Sequence, residues 1–309
     1  MQEYDRKQNI RRAIVETIAF FDLFLFPLTV NEILKYLKVK SDYLEVLNTL
    51  NSLVRDEIIE EAEGLYFLKG TQKNIKERKS RYNYSDRKFK IAIKISKYFR
   101  LIPWIRLIAV VNIIGRDNLR DNSDIDIFII AEKNRLWLTR FFAVLIAKLM
   151  NVRPQLGNTR DKICLSFFLG EDNLDLHTVR GENNDLYFSY WLLNLAPIYS
   201  RENSYEKLME GNRKILNEFP NFYPEKISSK RKLLVFDNSF YKKNWDLLFG
   251  GLENKIKRFQ LEIMPRNLLD LAPQKKGVII SENIIKLHLN DRREEFLKKY
   301  NEKVSKIKI

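Results

Sequence analysis

The sequence predicts an α+β protein of more than one unit, and three observations point there. Up to about residue 100 the apolar residues recur at helical spacing. Near residue 105 the pattern changes to strand, loop, strand and helix, and from Leu186 onward it turns mainly helical. At 309 residues the chain is also too long for one small core. These changes divide it into residues 8–70, 71–100, 101–200 and 201–309.

In the first unit Ile10, Ile14, Ile18 and Phe21 mark one face of a helix. Phe26-Pro27-Leu28-Thr29 breaks it, and Thr29 with Glu32 three residues later predicts a capping box opening a second helix. A third helix is expected from Ser41, with Leu44, Leu47, Leu50 and Leu53 at three-residue steps. Ile58-Ile59, a Glu-Ala-Glu-Gly bend and Leu65–Leu68 then predict a short hairpin. Three helices followed by a hairpin resemble a winged helix. Residues 41–63 carry seven acids against Arg55 alone, which argues against that unit reading duplex DNA through phosphate contacts.

Residues 73–100 carry eleven Lys and Arg against two acids, with Ile91, Ile95 and Phe99 down one face. They predict a long basic helix linking the first unit to the next. Its cations suit a solvated face or an anion-binding one. Strands are expected at 106–114, 124–131 and 162–169, with an amphipathic helix over 135–150 between the last two. Residues 219–245 are poorly patterned and suggest a loop-rich connection. The C-terminal 201–309 is basic, with twenty-four Lys and Arg against fifteen acids.

The formal net charge of +15 favours an anionic partner: a nucleotide, a nucleic acid or an acidic surface. Cys164 is the only cysteine, which excludes an intramolecular disulfide and a cysteine-built zinc site. His177 and His288 lie far apart, neither with an evident Ser partner. There is no P-loop, GxGxxG or Gly-x-Ser-x-Gly elbow. Charges interrupt the apolar runs, so neither a secretory signal nor a membrane span is expected, and a cytoplasmic protein without a membrane partner is. The aromatic cluster Tyr187, Phe188, Tyr190 and Trp191 reads as helix packing, with base stacking the alternative, and Arg292 with Arg293 as a solvated helix face, with phosphate contact the alternative.

The sharpest local feature is Ser123-Asp124-Ile125-Asp126-Ile127. Residues two apart in a strand point to one face, so the two carboxylates stand side by side while Ile125 and Ile127 enter the core. Two like charges there repel unless something offsets them. A divalent cation does so, because magnesium is commonly held by one or two carboxylates together with substrate phosphates. Alternatively, both Asp lie solvated at a frayed strand end.

The loop rich in Arg and Asp, then Ser-Asp-Ile-Asp-Ile, then an apolar run and a helix resemble the DNA polymerase beta-type nucleotidyltransferase superfamily. The resemblance covers roughly residues 95–200, and the winged-helix-like first unit accompanies such a domain in similar bacterial proteins. It implies a mixed-sheet nucleotidyltransferase fold. It also implies magnesium, or manganese, held by Asp124 and Asp126, with a third carboxylate on a later strand completing the site. Asp175 is the candidate for that acid, as metal ligand or base. Where the family places Gly-Ser, this chain has Asn112-Ile113. Asn112, Arg116, Arg120 and Ser123 are therefore the candidate contacts to the nucleotide. The implied reaction moves a nucleoside monophosphate from a nucleoside triphosphate to an acceptor hydroxyl, releasing pyrophosphate. The acceptor stays open among protein, RNA and small molecule. The alternative is a catalytically decayed scaffold that binds nucleic acid or protein.

Overall fold

A computed structural model describes residues 2–155, 157–180, 185–224, 228–235, 238–274 and 277–307. The N-terminal periodicity becomes α1 (Gln2–Asp22), with Ile10, Ile14, Ile18 and Phe21 all buried. The Thr29–Glu32 capping box opens α2 (Val30–Tyr36): Thr29 N donates to Glu32 Oε2 at 2.8 Å, and Glu32 N to Thr29 Oγ1 at 3.3 Å. Asp42 and Glu45 cap α3 (Tyr43–Arg55) in the same way. Its buried face is Val46, Leu50 and Leu53, while Leu44 is 66% exposed, because a three-residue step drifts around a helix of 3.6 residues per turn. The antiparallel hairpin of β1 (Ile59–Ala62) and β2 (Leu65–Leu68) follows, and then α4 (Lys73–Phe99).

The rest of the chain builds one mixed sheet and the helices around it. Its elements are β3 (Ile105–Val110), β4 (Ile125–Ala131), α5 (Leu136–Leu149), β5 (Ile163–Gly170), α6 (Leu186–Leu193) and β6 (Ala196–Ser200). They continue with α7 (Ser204–Gly211), α8 (Arg213–Leu216), α9 (Ser239–Phe249), α10 (Glu253–Glu262), α11 (Arg266–Leu271), β7 (Val278–Ile280), β8 (Ile284–Leu287) and α12 (Arg293–Ser305). The six strands run in the order β6-β3-β4-β5-β8-β7. Only β4 and β5 pair in parallel, as their connection through α5 requires. The protein is therefore α+β, as the sequence predicts.

Three differences from the sequence reading bear on the site. The strand expected over 106–114 ends at Val110, although Val111, Ile113 and Ile114 stay buried, so apolar character outlasts the ladder. The stretch from Leu186 is less purely helical than expected, since it supplies β6, β7 and β8. These strands are three to five residues long, too short to announce a period of two. And β7 and β8 of the C-terminal region complete the central sheet beside β5.

Alternation along the strands divides the core. Leu107, Ala109, Phe128, Ile130, Phe167 and Leu169 face α6 and the N-terminal helices in one cluster. Ile108, Val110, Ile127, Ile129 and Phe168 face α4, α5 and the later helices in the other. Among the described residues no helix is long and apolar enough to cross a membrane.

Candidate active site

Asp124 and Asp126 share their strand parity with Phe128 and Ile130, so they point to the face that carries α6. They sit at the end of β4 where that face changes from apolar to polar. Beside Asp126, β5 places Cys164 directly in register. Between Asp126 and Phe128 the ladder slips by one residue, since Phe128 pairs with Phe167. Ser166, two residues on, keeps the side of Cys164, and the extra residue on β5 turns Phe167 to that face as well. On the next strand Lys286 pairs with Phe167, and His288 follows two residues later. A row of polar side chains thus crosses three strands: Asp124 and Asp126, then Cys164 and Ser166, then Lys286 and His288.

The loop before β4 is held by the long basic helix. Arg81 donates from Nη1 to the Phe24 carbonyl and to Asn118 Oδ1, both at 2.7 Å. Ser85 Oγ accepts from Leu119 N at 2.9 Å. The fully buried Lys88 ammonium bonds the Ser123 carbonyl and, at 2.9 Å, Asp161 Oδ1. These residues recur at helical spacing, so one face of α4 fixes the loop from Ile114 to Ser123. Two of the cations that composition left open between solvent and anion binding are thus structural. From the other side, Phe26 packs against Gly115, whose φ of +87° suits glycine.

At the start of this loop Asn112 adopts a left-handed φ of +59°, which asparagine tolerates, and donates from Nδ2 to Asp126 Oδ2 at 2.7 Å. Its side chain is therefore spent on positioning a carboxylate. Burial raises the Asp126 carboxyl above the usual aspartate range, and the neighbouring Asp124 charge adds to this. Asn112 and the Cys164 thiol, which hydrogen-bond the carboxylate, oppose it. Asp124 is raised as well, chiefly by burial, while the Lys88 charge favours its ionised form. Burial pushes the Cys164 thiol up, so it stands protonated beside the carboxylates. One oxygen from each Asp and the Cys164 Sγ lie within 4.8 Å of one another.

Above this row opens a cleft of about 450 Å³. The loop gives it Asn112, Arg120 and Ser123, and α4 gives Arg81. From α6 come Tyr187, Phe188 and Trp191, and from 286–296 come Lys286, His288, Asp291, Arg292, Arg293 and Phe296. Five of these side chains are Lys or Arg. The carboxylates are Asp124, Asp126 and Asp291. Arg293 takes both Asp291 oxygens, at 2.6 and 2.9 Å, and reaches Asp185 Oδ2 at 2.8 Å. Arg293 is thus a half-buried clamp where the sequence suggested a solvated face, because the fold brings Asp185, 108 residues away, to meet it beside its sequence neighbour Asp291. Arg292 stays exposed and pairs with Glu295.

The cleft brings together most of the sequence candidates and leaves two out. Asp124, Asp126, Asn112, Arg120 and Ser123 line it, although Ser123 Oγ is engaged with the Arg120 carbonyl at 3.0 Å. Asp175 does not reach it. It is exposed and accepts from His177 N at 2.9 Å, an ordinary turn of an Asx residue over its own backbone. Arg116 points into a second cavity on the far side of the loop, beside Asp117. The aromatic cluster packs as expected, with Phe188, Tyr190 and Trp191 buried, while Tyr187 stacks on Phe296 at 5.3 Å between ring centres. His288 does have a Ser partner, contrary to the sequence reading: Ser166 Oγ lies 3.3 Å from its Nε2.

Sequence reasoning missed Lys286, His288 and Asp291 as cleft residues, and Cys164 as the neighbour of the carboxylate pair. The signal for two of them was present in Ile285-Lys286-Leu287-His288, where polar residues alternate with apolar ones. Comparison of the chain with protein-family models, with curated proteins and with solved structures finds no match.

Proposed function

We propose that the protein is a nucleotidyltransferase that moves a nucleoside monophosphate from a nucleoside triphosphate to an acceptor hydroxyl. The observation that carries this reading is the pair Asp124 and Asp126, side by side on the floor of a cleft whose walls hold five basic side chains. Paired carboxylates amid cations make little sense for an apolar ligand and good sense for a metal-bound polyphosphate. The resemblance of Ser-Asp-Ile-Asp-Ile to the polymerase beta type agrees with it. We read the sheet as that fold, and α1–α3 with the β1–β2 hairpin as a winged helix. The acidic flank of α3, together with packing of its core residues in one cluster with the sheet face, supports a packing or docking role for that unit over duplex binding.

The donor set fits a divalent ion. Asp124 and Asp126 would hold magnesium or manganese, which when bound neutralises phosphate charge and polarises the α-phosphorus. The chain's own residues do the rest. Asn112 orients Asp126, Lys88 holds the backbone before Asp124, and Arg120 with the 286–293 segment attracts the polyphosphate. The acceptor oxygen forms a bond to the α-phosphorus while the bond to the bridging oxygen of the β-phosphate breaks. Pyrophosphate leaves with that electron pair. The acceptor proton is released to the water that fills the cleft, since the carboxylate pair is engaged with the ion.

A decayed scaffold is the second reading. It is favoured by Asn112-Ile113 in place of Gly-Ser and by Cys164 where β5 faces Asp126. The deciding experiment incubates the full-length protein with each labelled nucleoside triphosphate, magnesium or manganese, and a panel of acceptors. Pyrophosphate release that Asp126→Ala abolishes supports the enzyme. Release that survives this substitution, or none at all, favours the scaffold.

A further inference from the structure

Lys286 is 7% exposed and lines the cleft, yet among the described residues its ammonium makes no hydrogen bond. The nearest carboxylate oxygen, Asp291 Oδ2, is 3.9 Å away and already held by Arg293. Its stem is buried while its ammonium meets the cleft, where its three donors are open to a ligand that enters. His288 stands close by, two residues on, and Arg292 lines the same cleft. No acid there is left without a cation, since Asp291 and Asp185 share Arg293.

We propose that the Lys286–His288–Arg292 corner seats the terminal phosphate of the nucleotide. The inference rests on the nucleotidyl-transfer reading of the cleft and fixes the direction in which the substrate lies. Two strand spacings, about 10 Å, separate β4 from β8. A triphosphate bridges that distance with its α-phosphate at Asp124 and Asp126 and its tail at Lys286, passing over Cys164 and Ser166. The compact ammonium of Lys286 suits a phosphoryl group as a point charge, and Ser166 holds the adjacent His288 ring. Burial, and then the nearby Arg293, lower the Lys286 ammonium to about 8, while Asp291 and Asp185 oppose this, and a bound phosphate would favour its charged form further.

The test is calorimetric titration of the full-length protein with inorganic tripolyphosphate, with nucleoside triphosphates and with the corresponding monophosphates. Wild type is compared with Lys286→Met, which keeps the stem and removes the charge, and with Lys286→Arg, which keeps the charge. Lys286→Met is expected to weaken tripolyphosphate and triphosphate binding about 10- to 100-fold. It leaves monophosphate binding unchanged, and Lys286→Arg stays near wild type. Removal of an ammonium that makes no hydrogen bond among the described residues, on a largely desolvated side chain, should leave the melting temperature unchanged or raise it, so misfolding is separable. If Lys286→Met, with an intact melt, binds tripolyphosphate as wild type does, the subsite is overturned, while Asp126-dependent pyrophosphate release still stands. Tripolyphosphate binding that depends on Lys286 without any nucleotide turnover keeps the subsite and removes the transferase reading. Equal weakening of monophosphate and triphosphate overturns the assigned direction. Wild type that binds none of these probes overturns both.

Discussion

Asp126 and Cys164 stand directly opposite one another in the parallel ladder of β4 and β5. A thiol, not a third carboxylate, is what the neighbouring strand offers to any ion held by the Asp pair. Sulfur donors favour softer cations than magnesium, and a coordinated thiol loses its proton. Cadmium added to the wild type should therefore give a sulfur-to-metal charge-transfer absorbance that Cys164→Ser lacks. Cys164→Asp should strengthen magnesium binding by about tenfold. No sulfur absorbance together with unchanged magnesium binding would confine Cys164 to hydrogen-bonding Asp126.

Lys88 and Asp161 form a pair whose ammonium is fully buried and also supports the Ser123 carbonyl. Lys88→Met leaves the Ser123 carbonyl unmet and Asp161 with Arg87 as its remaining cation, which should cost roughly 1–3 kcal/mol in urea unfolding. The double variant with Asp161→Asn should cost clearly less than the sum of the two singles. Additive losses would mean that the pair is not coupled.

Gly115 meets Phe26 across the boundary between the N-terminal helices and the site loop. A Cβ there would lie 2.6 Å from the Phe26 ring, on a backbone with φ of +87°. Gly115→Ala should cost on the order of 2–3 kcal/mol through strain and crowding together. Phe26→Leu should return part of the crowding loss when combined with it. A thermal melt of the single and double variants reads both effects.

His288 is lowered to about 4, mainly by burial and then by the Lys286 charge, with Arg293 acting the same way and Asp291 opposing it. The unfolded chain binds the proton more readily than the folded one. Stability should therefore fall as pH drops from about 6.5 towards 4, by on the order of 1–2 kcal/mol after allowing for solvent access from the cleft. His288→Gln, which can keep a contact to Ser166, should flatten that part of the pH–stability curve. A slope unchanged in the variant would place the titration elsewhere.

The parts legible in the sequence are those set by neighbours a few residues apart. The Thr29–Glu32 capping box is satisfied within one turn, and it appears as expected. Ile10, Ile14, Ile18 and Phe21 recur because one stripe of a helix must be buried. Asp124 and Asp126 face the same way because a strand repeats every two residues. Asp175 misled for the same kind of reason. An Asp between strand and helix is as useful to its own turn as to a distant metal, and here its carboxylate serves the backbone two residues on.

What the sequence determined by itself is therefore the order of the elements as far as β5, the α+β class and the carboxylate pair, since each follows from short-range periodicity and capping. The tertiary structure alone decided what surrounds that pair. Lys88 is buried because Asp161, 73 residues on, comes to meet it. Cys164 matters because a parallel ladder sets it against Asp126, and Lys286 because a strand of four residues joins the sheet beside β5. A charged side chain reads alike in solvent, in an ion pair or in a cleft. Only desolvation and the partner across the fold assign its role, and both are properties of contacts that lie far apart along the chain.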